Sequence, residues 1–119
     1  MWPTSLRVVK PARVPDPGSP KLGKITLDPD QGATVLPGVW RVECQPILLQ
    51  EETEGGTREF ARTGWRIITE RGVNIPDLEH TDGVLVDGIT GVLSVVGEVG
   101  RIVHARIGHD EFTVERWVG

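Results

Sequence analysis

Apolar and polar residues alternate along much of the chain after residue 38, and this period of two predicts β-strands. Trp40, Val42 and Cys44 alternate with polar neighbours, as in a strand with one buried face. Later segments repeat the pattern, and turn-forming residues such as Asp87-Gly88 separate them. The predicted strands cover 40–49 with an interruption at Pro46, 58–69 with a bulge at Gly64, 83–87, 92–103 with kinks at Gly97 and Gly100, and 111–118.

Five or six short strands within about 80 residues favour a small antiparallel β-barrel, because closure removes exposed strand edges. We therefore expect an all-β fold with a long polar hairpin loop between the first two long strands. The alternation places these side chains inside the barrel: Trp40, Val42, Phe60, Ile68, Val84, Val86, Leu93, Val95, Val99, Phe112 and Val114.

The first 38 residues follow a different pattern, because seven of the nine prolines lie there. Proline removes a backbone donor and holds its predecessor in extended conformations, so helix is disfavoured. We expect residues 1–38 to form an extended N-terminal arm or loop, with a short edge strand at 6–9. Residues 39–119 are then the barrel domain.

Composition narrows the classes of function. The 119 residues carry a net charge of −4, and their 13 Lys and Arg residues form no run, which disfavours a protein that grips nucleic acid through phosphates. No apolar stretch approaches the length of a membrane span, and Met1–Thr4 does not begin a signal peptide. The single cysteine, Cys44, cannot form an intramolecular disulfide, as suits a reducing cytoplasm.

Candidate chemistry is sparse. His80, His104 and His109 lack the spacing of a zinc site, and Cys44 lies on an apolar strand face where a thiol acts as a small hydrophobe. The segment 28–32 is similar to the start of a calcium loop but lacks its later acidic ligands, so Asp, Pro and Gly turn chemistry explains it better. We expect no catalytic residues, no metal and no cofactor, and hence no enzyme.

Four tryptophans are the notable excess. Trp40 and Trp65 fit the predicted core, whereas Trp2 and Trp117 lie at the chain ends. Aromatic residues outside a core often mark protein interfaces, so Trp2 and Trp117 are interface candidates.

Several ordered segments carry a resemblance to a known family. They are the polar hairpin 51–58, Gly64-Trp65-Arg66-Ile67-Ile68, Arg71–Ile75, Asp82–Gly88, Leu93–Arg101 with His104, and Gly108–Gly119. In this order the segments resemble the head-to-tail stopper proteins of long-tailed bacteriophages, particularly phages of actinobacteria. The resemblance covers residues 39–119.

The resemblance implies a small β-barrel assembled as a homo-oligomeric ring of six or twelve copies in the virion neck, made in the host cytoplasm. Implied partners are the head-side adaptor or portal ring, the tail terminator or tail tube, and genomic DNA that passes without sequence-specific contacts; no membrane is involved. An extended loop would close the channel, and its candidates are Glu51, Glu52, Thr53, Glu54, Gly55, Gly56, Thr57 and Arg58.

Two alternatives stay open. A tail terminator or another neck or tail-completion protein is difficult to separate from a stopper by sequence. A small oligonucleotide-binding barrel is an alternative of another class, in which Arg62 and Arg66 would share a strand face with Phe60.

Overall fold

The computed structural model describes residues 2–15, 18, 23–52, 59–104 and 106–118, with side chains omitted at 2, 49–52 and 59–62. The described chain is all-β apart from one 3₁₀ turn at Pro29–Gln31. Its strands are β1 (Trp2–Lys10), β2 (Ala12–Val14), β3 (Lys24–Thr26), β4 (Thr34–Val35), β5 (Trp40–Glu52), β6 (Glu59–Thr69), β7 (Gly83–Val86), β8 (Leu93–Ile102) and β9 (His109–Arg116).

Six antiparallel strands close into a barrel. The hydrogen-bonded order is β1-β5-β6-β9-β8-β7, and β7 pairs again with β1 to complete the circle. The short strand β4 adds to β1 beside the barrel, while β2 and β3 form a separate two-stranded sheet. The predicted all-β antiparallel barrel is therefore confirmed.

The N-terminal strand differs from its prediction. The segment 6–9, expected as a short edge strand, lies inside the nine-residue β1, which pairs with β5 on one side and β7 on the other. Leu6 and Val8 are fully buried in the core. The physical reason is that Pro3 occupies a strand end while residues 4–10 contain no proline, so the ladder forms despite the prolines that follow.

The main core fills the barrel with aliphatic and aromatic side chains. Its buried members are Leu6, Val8, Val42, Cys44, Trp65, Ile67, Ile75, Leu78, Val84, Val86, Leu93, Phe112 and Val114. Trp40, Val95 and Val99 pack against this core while staying partly exposed. Most of the predicted inward residues are thus in the core or against it, and the interior is packed rather than open.

In β6 the predicted core position of Trp65 is confirmed, whereas the inward position predicted for Ile68 is wrong. Trp65 and Ile67 point into the barrel, whereas Ile68, expected inside, is only half-buried; the side chain of Phe60 lies outside the described residues. The pairing of β5 with β6 runs through Gly64 without a register shift, so the bulge expected there is absent. The expected kink in β8 is confirmed: its register with β9 shifts between Val96 and Gly100.

A second, smaller cluster lies on the outer face of β1 and β7. Val9, Leu27 and Ala33 are buried there, and Val35, Leu85, Val92 and Trp117 pack against them. Residues 24–36 therefore cover part of the barrel wall, which gives this portion of the proline-rich region a structural role.

The two ends of the barrel differ. The connection 70–82 crosses the end where β6 finishes and β7 starts, and its Ile75 and Leu78 are buried in the core. The hairpin of β5 and β6 leaves from the opposite end, where β1 begins.

Candidate functional site

The hairpin of β5 and β6 extends well beyond the barrel. Its pairing is continuous from Val42 opposite Thr69 to Glu52 opposite Glu59. β1 accompanies β5 only as far as Cys44, and β9 accompanies β6 only from Gly64 onward. Among the described strands, the outer part of the hairpin therefore pairs only with itself. Gly64 lies opposite Ile47, so at about 3.3 Å per residue the five steps from Ile47 to Glu52 span about 16 Å beyond the barrel strands.

We call this outer part, residues 48–52 and 59–63, the ribbon. Leu48 is 69% exposed and Thr63 is exposed, so no second layer covers these two ribbon side chains, whereas Ile47 at the base is half-buried. Pro46 was predicted to lie at an edge or a bulge, and it lies at an edge, because the pairing of β1 with β5 stops at Cys44. β5 therefore continues through Pro46 without interruption, since an edge position tolerates proline. A two-stranded ribbon alone is marginal in water, and here the barrel strands fix its base.

The predicted channel loop coincides with the distal end of the ribbon. Glu51 and Glu52 are the last two residues of β5. The remaining candidates, residues 53–58, lie outside the described part of the chain. The sequence predicted a hairpin here, but it did not predict that strand pairing would continue through Glu52, and the channel role of residues 51–58 stays a prediction.

The two predicted interface tryptophans are placed differently. Trp117 is partly buried against the outer cluster, and its backbone N–H donates to Val92 O at 3.0 Å. The backbone of Trp2 pairs opposite Cys44 in β1, and its side chain is outside the described set. Packing within the chain accounts for much of Trp117, so its role at an interface stays a prediction.

A buried carboxylate, which the sequence did not single out, holds the connection 70–82 to the barrel end. Asp110 accepts hydrogen bonds from Ile75 N at 2.7 Å and Asn74 Nδ2 at 2.7 Å, and from Arg101 Nε at 3.3 Å. Its own N–H donates to Thr69 Oγ1 at 2.7 Å. The carboxylate is fully buried, so these donors replace the water it lost.

Arg101 extends this network from β8. Its Nη2 donates to Ile75 O at 2.9 Å and to Leu78 O at 3.0 Å. The Arg101 guanidinium therefore donates to two backbone oxygens of the connection 70–82, which closes the barrel end. Its Nε also donates to Asp110. The barrel end is fixed by polar side chains and is not an opening.

A second buried carboxylate ties the same connection to β1. Asp82 Oδ2 accepts from Lys10 Nζ at 2.6 Å and from Glu79 N at 2.8 Å. Lys10 Nζ also donates to the backbone oxygen of Asp77. Because the connection is fastened at both of its ends, the closed end forms one rigid unit with the barrel.

The residues considered for chemistry have structural partners. Burial raises the pKa of the Cys44 thiol to about 11, which keeps it protonated and unreactive at neutral pH. Asp28 caps the 3₁₀ turn by accepting from Asp30 N at 2.9 Å, and Gly32 ends the turn at φ 112°, so turn chemistry accounts for this segment. Within the described residues, no group of three or more His, Cys, Asp or Glu could hold a metal ion.

An exposed charged row crosses the barrel wall. Glu111 accepts from Arg66 Nη2 at 2.5 Å and from His109 Nε2 at 2.9 Å. The hydrogen bond to Glu111 raises the pKa of His109, and the hydrogen bond from His109, with that from Arg66, lowers the pKa of Glu111. The pairing neutralises Arg66, which weakens the oligonucleotide-binding alternative that relied on its charge.

This row predicts a pH dependence with a defined sign. The raised pKa of His109 stabilises the folded state at pH values below 6.5, the ordinary pKa of histidine, and this stabilisation is lost as the pH rises through the pKa of His109 in the folded state. The lowered pKa of Glu111 stabilises the folded state at pH values above 4.5, the ordinary pKa of glutamate, and this stabilisation is lost as the pH falls through the pKa of Glu111 in the folded state. Both contributions are therefore complete between 4.5 and 6.5. We expect His109 to titrate above 6.5 by NMR and to return towards 6.5 in Glu111→Gln. An unchanged His109 titration in that variant would contradict the assignment.

Comparisons with protein-family models, with curated proteins and with solved structures gave no match for this chain. In the described part of the chain, no helix is long and apolar enough to cross a membrane.

Proposed function

We propose that this protein is a ring-forming head-to-tail stopper of a long-tailed phage, a structural component that closes the DNA channel after packaging and offers a docking surface to the tail. The observation that carries the proposal is the ribbon, which reaches about 16 Å past a barrel whose opposite end is closed. It coincides with the hairpin that the resemblance to stopper proteins assigns to channel closure.

The packed interior of the barrel supports a DNA channel formed by a ring of copies in preference to a channel through a single barrel. Side chains fill the interior, and the connection 70–82 closes one end. A passage for double-stranded DNA must then lie between copies, with each barrel acting as a wall segment. Ribbons from several copies that point towards a common axis would obstruct that passage sterically.

The charge of the predicted channel loop supports a role in which the loop obstructs DNA without binding it. The predicted channel loop contains Glu51, Glu52 and Glu54 against the single cation Arg58. Carboxylates repel phosphates, so a loop of this composition would stop DNA without holding it when the channel reopens. The partners in this proposal are other copies, a head-side adaptor or portal ring, and a tail terminator or tail tube.

Shortening the ribbon tests the proposal. In the test variant, an Asn-Gly turn replaces residues 49–62 and joins Leu48 to Thr63, which already face each other. Because the described strand segments that are removed, 49–52 and 59–62, pair only with each other, we expect the barrel to stay folded while filled heads lose their DNA before tails join. Nuclease sensitivity of packaged DNA in a complementation assay measures the loss.

A matched variant separates steric from electrostatic action. Glu51→Gln combined with Glu52→Gln keeps the ribbon length and removes two negative charges. We expect it to retain most of the DNA if obstruction is mainly steric. Full DNA retention by the shortened variant, with its fold verified by circular dichroism, would contradict the stopper assignment.

A further inference from the structure

We draw no further inference here: the strongest candidate, the surface where the exposed tip of the β8–β9 hairpin (Ile102, Val103 and Ile107) meets the cleft beside it, mixes cations with carboxylates along its lining, and nothing in the structure shows what covers it.

Discussion

Asp110→Ala should lower the free energy of unfolding by about 3–5 kcal/mol, a large share of the roughly 5–15 kcal/mol that stabilises a domain. The substitution leaves the buried N–H of Ile75 without its acceptor and removes the carboxylate that Arg101 and Asn74 contact. Unsatisfied buried donors cost more than a hydrogen bond contributes when it forms. Urea unfolding followed by tryptophan fluorescence measures the change.

Asp77→Ala is the matched control for this prediction. Asp77 lies in the same connection, but its side chain is exposed and its contact with Lys10 uses the backbone oxygen. We expect a change within about 0.5 kcal/mol, as for most surface substitutions. Equal effects of the two substitutions would show that the buried network does not fasten the barrel end.

Ile67→Ala should destabilise the protein by about 2–5 kcal/mol, while Ile68→Ala should cost clearly less. Ile67 is fully buried and pairs opposite Cys44 and Phe112, so its truncation leaves a cavity in the barrel. Ile68 is half-buried on the outer wall, where water or side-chain movement fills the space. The two residues are neighbours with identical side chains, which makes the pair a direct test of the strand face.

The same urea experiment decides between the two faces of β6. A larger effect at Ile68 than at Ile67 would restore the face expected from the sequence and contradict the observed register. Equal small effects would mean that the interior is loosely packed and tolerates a cavity.

The alternation of apolar residues predicted the barrel class because each later strand has one buried face. It misjudged β6 because Trp65, Ile67 and Ile68 leave both faces apolar, and strand period alone cannot choose between them. The pairing with β9 settles the choice, since Ile67 lies opposite the buried Phe112.

The first strand was harder to predict. Leu6 and Val8 alternate with Arg7, a short signal surrounded by prolines, and its barrel partners are β5 and β7. Long-range pairing of this kind overrides a local expectation of an irregular arm. The segment 24–36 likewise gains its structure from the wall that it covers.

The sequence contained one signal for the buried hydrogen-bond network around Asp110. Asp110 shares the strand phase of Phe112 and Val114, so alternation places a carboxylate on the inward face of β9. A charge in that position predicts buried partners, but their identity depends on the connection 70–82 folding back over the barrel end. Most of the ribbon was predicted as strand, within 40–49 and 58–69, but Glu51 and Glu52 were predicted as loop. The sequence also gives no sign of where the strands that flank a hairpin lose their neighbours.

In our proposal this protein closes the phage neck, and electron microscopy of a lysate from a phage lacking its gene tests this role most directly. We expect tail-less heads, many emptied of DNA, beside free tails of normal length. Tails of irregular length would instead indicate a tail terminator. Intact, infectious particles would contradict a structural role in the neck.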